Sequence, residues 1–272
     1  MTTTSSPSSD QSRPDTLRRH LRALYRSDDP RPVALAYLLL LTLAELLTVF
    51  TFVQVGVLLH LSLLFLLLLH AAATWQRPIH RLLLGLAFVP LIRVISLTLP
   101  LVGFPLVYWY LITSVPLFLS ALVVMRLLGF SWRDVILRPT ALKWHGWLLQ
   151  IAIGLAGLGF GYVEYLILRP EPLVDELALA QIWLPALILL LSTGYLEELI
   201  FRRIMQRTAV ERLGALWGIL YVALFFAVLH IGYKSLVDFL FVLAVGLAFG
   251  IVVYRTGSLL GVTLAHGLTN IA

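Results

Sequence analysis

The sequence predicts an all-α, polytopic helical membrane protein of about eight or nine transmembrane helices. Three observations predict it. The 272 residues are 60% hydrophobic, and their mean hydropathy of +0.94 lies well beyond that of soluble domains. Only 12% of residues are charged, so long stretches hold almost no charge. The apolar blocks are continuous rather than alternating, which excludes a β-barrel built from segments of about ten residues.

The first block, from Val33 to Trp75, is about twice the length that one span needs. It reads as two helices, 33–53 and 56–75, with a tight turn near Gln54, Val55 and Gly56. Residues 76–81 form a short basic loop. Helix three covers 82–99, with Pro90 as a kink and Arg93 inside it. Residues 100–105 turn, and helix four covers 105–125. A basic loop with Arg126, Arg133, Arg138 and Lys143 follows. Helix five, 146–168, holds Gly157-x-x-x-Gly161, a small-residue spacing that lets helix backbones approach closely. The loop 169–181 is net acidic through Glu171, Asp175 and Glu176. Helix six starts near Ile182 and ends in Arg202, Arg203, Arg207 and Arg212. Helix seven covers 215–231. Helix eight, 235–254, holds Gly246-x-x-x-Gly250, and helix nine covers 258–272.

The net charge is +6, and its placement sets the expected orientation. Residues 1–32 read as a disordered, basic cytosolic tail with Arg13, Arg18, Arg19, Arg22, Arg26 and Arg31. The tail starts in a polar Ser/Thr run, so it is not read as a signal peptide. The basic loops fall on one face of the alternating helices, which predicts a cytoplasmic N-terminus, most simply in a plasma membrane. Nucleic acid is not an expected partner. The absence of cysteine excludes a catalytic thiol, a disulfide framework and a Cys-ligated metal. No internal repeat is visible.

Three polar motifs stand in the apolar C-terminal third: Glu197-Glu198-x-x-x-Arg202, Phe226-x-x-x-His230 and His266-x-x-x-Asn270. Ionisable groups at membrane depth are costly, and they usually line a cavity or a reaction site. Glu198 and Arg202 are four apart, share a helix face and are expected to pair. Glu197 is turned by about 100° from Glu198 and is freer to face a cavity. Glu197 then suits a general base, and the Glu198–Arg202 pair suits a scaffold. The plain alternatives are a helix-end cluster at the interface and hydrogen-bonded core pairs.

If helices six and seven form a hairpin turning at Leu213 and Gly214, Glu197 and His230 lie level, roughly 24 Å from the turn. They would then hold one water between them. His266 follows a second turn at Thr256 and Gly257, near mid-membrane, where it and Asn270 would donate hydrogen bonds to a developing oxyanion. The depth conflicts with a basic stretch from Arg202 to Arg212 starting at the interface. Either the hairpin protrudes or the cavity is deep and wet.

At these residues the chain resembles the CPBP family of CAAX prenyl endopeptidases and bacteriocin-processing or immunity membrane proteins, also called Abi. The three motifs occur in order on three apolar segments, and the resemblance covers about residues 140–272. Residues 33–139 are then additional transmembrane helices. The resemblance implies an intramembrane endopeptidase acting on a membrane-associated or lipidated CAAX-type protein or peptide, with membrane lipid around it. Carried over, Glu197 is the base, His230 its partner, and His266 and Asn270 the oxyanion hole, with Glu198, Arg202 and Phe226 in support. Family names also mention metalloproteases. Glu197, His230 and His266 are the candidate ligands of a divalent cation such as zinc, although the absence of His-Glu-x-x-His favours a metal-independent reaction.

The rival readings are a non-catalytic immunity or scaffold protein of the same fold, and a transporter, which should show inverted repeats. Glu45, His60, His70, Arg93, Glu164 and Asp238 read as partners between helices. Arg93 in particular needs a carboxylate, which Glu45 or Glu164 would supply.

Overall fold

The computed structural model describes residues 29–131, 134, 144–174, 176 and 178–272. The basic tail up to residue 28, the loop cations Arg133, Arg138 and Lys143, the expected boundary at 139–140 and Asp175 lie outside the described residues. Among the described residues there is no strand. Nine main helices follow one another: α1 Arg31–Phe50, α2 Val53–Ala73, α3 Ile79–Thr98, α4 Leu106–Leu127, α5 Trp144–Leu168, α6 Leu179–Leu213, α7 Ala215–Val228, α8 Leu236–Thr256 and α9 Leu260–Ile271. Eight of these segments, with α7 taken through Tyr233, are long and apolar enough to cross a membrane. The chain is therefore an integral, multi-pass membrane protein. Helix α9 has 12 residues, about 18 Å of rise against a hydrocarbon core of about 30 Å, so it packs inside the bundle rather than spanning by itself.

The punctuation follows from local chemistry. The turn between α6 and α7 is Gly214 at φ +83°, and α8 ends on Gly257 at φ +68°. Both are left-handed positions that favour glycine, and both coincide with the turns expected from the sequence. Helix α8 starts on Ser235, whose Oγ accepts the Asp238 backbone N–H at 3.2 Å, an N-cap of the usual kind. Helix α3 is interrupted at Ala87, within one turn of Pro90, which has no N–H to give to the preceding turn.

The glycine pairs bring backbones together. A Cβ on Gly157 would stand 2.2 Å from the Ala265 carbonyl oxygen, and one on Gly161 2.6 Å from that of Thr269. On the other side of α9, a Cβ on Gly194 of α6 would stand 2.8 Å from the Thr263 carbonyl oxygen. Helix α9 is therefore wedged at backbone contact between α5 and α6. Two side chains fasten it to α5: Gln150 Oε1 accepts the Gly261 N–H at 2.7 Å, and Thr269 Oγ1 donates to the Gly157 carbonyl at 3.2 Å.

Helices α1 to α3 share one buried core with α6 and α7. Leu41, Leu67, Leu83 and Phe88 join Phe201, Ile204, Val222 and Phe225 in it. The Tyr221 hydroxyl donates to the Ala34 carbonyl at 2.7 Å. Helix α6 has 35 residues, about 52 Å as a helix, longer than a membrane core. Several charged residues of its basic half have partners within the protein. Arg203 donates to the Gly257 carbonyl at 3.2 Å, Arg207 to Asp134 at 3.0 Å, and Glu211 accepts from Arg81 at 2.9 Å. Internal pairing of these cations removes the need for Arg202 to start at an interface.

Candidate functional site

The two adjacent glutamates sit in an irregular part of α6. Only Leu196–Glu198 has α geometry there. Leu190–Tyr195 before it and Leu199–Gln206 after it are wound as π-helix. Such winding is rare and concentrates at functional sites. The two adjacent carboxylates meet different surroundings. Glu198 is fully buried at 0% exposure, whereas the Glu197 side chain is 32% exposed.

Glu198 is held from both sides. Its Oε2 lies 3.1 Å from Arg202 Nε, and its Oε1 lies 3.0 Å from His266 Nδ1. A carboxylate paired to a guanidinium only accepts, so the His266 Nδ1 carries the hydrogen. The other nitrogen of the same ring, Nε2, stands 3.8 Å from Glu197 Oε2. His266 thus lies between the two carboxylates. Glu197 has no closer ion-pair partner among the described residues.

Phe226 organises the remaining groups. The Arg202 guanidinium carbon lies 5.1 Å from its ring centre, a cation–π distance. The His266 ring stands edge-on to it at 5.6 Å, and the His230 ring lies 4.9 Å away. The Phe201 ring closes the inner side at 5.0 Å. His230 Nδ1 donates to the Phe226 carbonyl at 2.7 Å. A carbonyl accepts only, so the neutral ring is left with Nε2 as its acceptor.

The structure therefore brings Glu197, Glu198, Arg202, Phe226 and His266 into one cluster, with His230 across the Phe226 ring. It does not bring Asn270 there. That residue is exposed at the far end of α9, although His266, four residues earlier, is buried. His266, rather than His230, is the imidazole beside Glu197. Regular helix spacing missed this, because α6 does not keep a regular period around the glutamates.

Arg93 has found the carboxylate its position requires. Its Nε donates to Glu45 Oε2 at 2.8 Å, and His60 Nε2 lies 3.3 Å from the same oxygen. The sequence could not reveal that Arg93 also donates to the Leu229 carbonyl, beside His230. His70 meets the Tyr37 hydroxyl at 3.0 Å.

The metal candidates Glu197, His230 and His266 do not fit a shared ion. Among the described residues no three His, Asp or Glu side chains gather as a metal would require.

The comparison with curated proteins found no match, and neither did the comparison with solved structures. A family model does match. Residues 179–272, which contain both glutamates, both histidines and every other member of the polar cluster, match the family described as Type II CAAX prenyl endopeptidase Rce1-like, in agreement with the CPBP resemblance of the three motifs.

Proposed function

We propose that the chain is an intramembrane endopeptidase that hydrolyses a peptide bond of a membrane-associated protein, with lipidated CAAX-type C-termini as the leading substrate class. The single observation that carries the reading is the asymmetry of the paired glutamates. Glu198 is sealed between Arg202 and His266, whereas Glu197 is partly exposed and lies 3.8 Å from His266 Nε2.

In this reading Glu197 takes a proton from water, and His230 Nε2 accepts the water's other hydrogen and orients it. The water oxygen attacks the peptide carbonyl carbon. For the negative charge that develops on the carbonyl oxygen the family pattern assigns His266 and Asn270 as hydrogen-bond donors, and of the two it is His266 that stands in the cluster. Collapse of the tetrahedral species breaks the C–N bond, and the proton held by Glu197 passes to the leaving amine. Glu198 and Arg202 act through His266, by fixing its ring. No step passes through a metal ion. The basic loops support a cytoplasmic N-terminus, and a plasma-membrane location is the simplest one consistent with them.

The test is cleavage of a panel of lipidated and plain fluorogenic peptides by purified protein beside Glu197→Gln. Cleavage by the wild type alone is expected. Equal cleavage by both proteins would remove Glu197 from the chemistry. Cleavage by neither would favour a non-catalytic membrane scaffold of the same fold.

A further inference from the structure

We propose that Glu45, His60 and Arg93, on three helices outside the matched segment, form a positioning unit that sets the place of the His230 imidazole. The proposal rests on the peptidase reading for its catalytic consequence, although not for its geometry.

The argument starts from the end of α7. The last carbonyls of a helix have no intrahelical donor and need an outside partner. Here Leu229 is the C-cap residue. The N–H groups that follow bond elsewhere: that of Tyr233 goes to the His230 carbonyl at 3.1 Å, and that of Lys234 to the Ile231 carbonyl at 2.8 Å. No backbone donor among the described residues reaches the Leu229 carbonyl. Arg93 Nη2 supplies the hydrogen bond. A cation at this end also matches the negative pole of the helix.

The guanidinium is in turn fixed. Both arms of its fork reach Glu45, at 2.8 Å and 2.5 Å, a geometry that lysine does not reproduce. Glu45 is buried, and the buried His60 on α2 backs it at 3.3 Å. The chain of contacts therefore runs from α1 and α2 through Arg93 of α3 to the residue preceding His230.

What it reaches is the last turn of α7, which determines the imidazole. The His230 N–H donates to the Ala227 carbonyl at 2.9 Å, and its ring Nδ1–H to the Phe226 carbonyl at 2.7 Å. A shift of this turn would move Nε2 from the place the peptidase reading assigns it, across the Phe226 ring from His266. Misplacement of a reacting group by about 1 Å is enough to cost on the order of 100-fold in rate. The helices outside residues 179–272 thus gain a role beyond packing.

Two variants test the unit, because Arg93→Leu alone strands a buried carboxylate and is prone to misfold. Arg93→Lys keeps the charge beside Glu45 but has no fork for both acceptors. Arg93→Leu with Glu45→Leu removes both charges together. Each is expected to fold, with kcat down about 10- to 100-fold and KM within about twofold of wild type. Wild-type kcat in both folded variants would overturn the proposal, because a purely structural role is relieved once the charges are balanced. Histidine ¹⁵N NMR separates failure of this proposal from failure of the peptidase reading. If the wild type cleaves nothing, a His230 signal that shifts or broadens in both variants still supports the positioning unit. An unchanged His230 signal would sink it.

Discussion

Replacing Glu198 by Gln should unfold the protein far more readily than replacing Glu197, although the two residues are adjacent. Glu198 is fully buried, and it is the carboxylate paired with Arg202, itself buried, at 3.1 Å. It also accepts from His266 at 3.0 Å. Gln keeps the size and some of the hydrogen bonding but removes the charge that compensates the guanidinium. Two magnitudes compete. A hydrogen bond between membrane helices averages about 0.6 kcal/mol, which would move the thermal midpoint by only about 1–2 °C. A buried charge left without its counterion costs about 3–5 kcal/mol, or roughly 6–20 °C for a chain near this size. Because both partners are sealed from solvent, the second magnitude should apply. Glu197→Gln removes no such compensation and should stay within about 1 kcal/mol of wild type. The assay is thermal unfolding of the purified variants in one detergent. A midpoint for Glu198→Gln within about 2 °C of wild type would refute the argument. The double variant Arg202→Met with Glu198→Leu gives a cross-check. It should recover most of the lost stability, since no charge is then left uncompensated.

Other consequences can be measured on the same preparations. Gly157→Ala places a methyl group 2.2 Å from the Ala265 carbonyl oxygen, so α9 must shift. About 1–3 kcal/mol of destabilisation is expected, with a larger proportional loss of peptide cleavage, because His266 is the next residue; unchanged activity would mean that α9 is not held by this contact. His230→Gln should leave the thermal midpoint nearly unmoved and lower kcat by about 10²- to 10⁴-fold, and a wild-type rate would strike His230 from the mechanism. Treatment with a chelator should leave the cleavage rate within about twofold, since no three ligands converge among the described residues. A loss that added zinc restores would overturn that expectation.

The parts of this structure that the sequence disclosed are those governed by strong local costs. A membrane arginine needs a carboxylate, and the pairing of Arg93 with Glu45 follows from that rule once the partners are few. The Gly157-x-x-x-Gly161 spacing announced a close helix contact, and Gly214 and Gly257 marked the turns. What stayed hidden depends on rotation and on tertiary choice. The spacing could not say that α9 is the helix packed on Gly157. It could not say that His266 stands beside Glu197, because depth along regular helices carries no information about π winding in α6. The same four-residue step that joins Glu198 to Arg202 fails to bring Asn270 to the cluster, where α9 has left the bundle's buried interior.

The wedging of α9 connects these observations. A short helix that does not span by itself has no reason to sit in a membrane bundle unless its neighbours satisfy it on both sides. Here glycines on α5 and α6 supply the space, Gln150 satisfies the Gly261 N–H near its start, and Glu198 satisfies His266 near its middle. The last of these is a polar contact, and its cost is met only because Arg202 compensates the same carboxylate. Glu198 therefore serves the fold, and it leaves Glu197 as the carboxylate that the fold does not consume. Leu196–Glu198 keeps α geometry, and its step of about 100° per residue points the adjacent side chains in different directions. Divided as they are, one glutamate anchors the histidine and the other stays partly exposed, which is the arrangement that the proposed hydrolysis calls for.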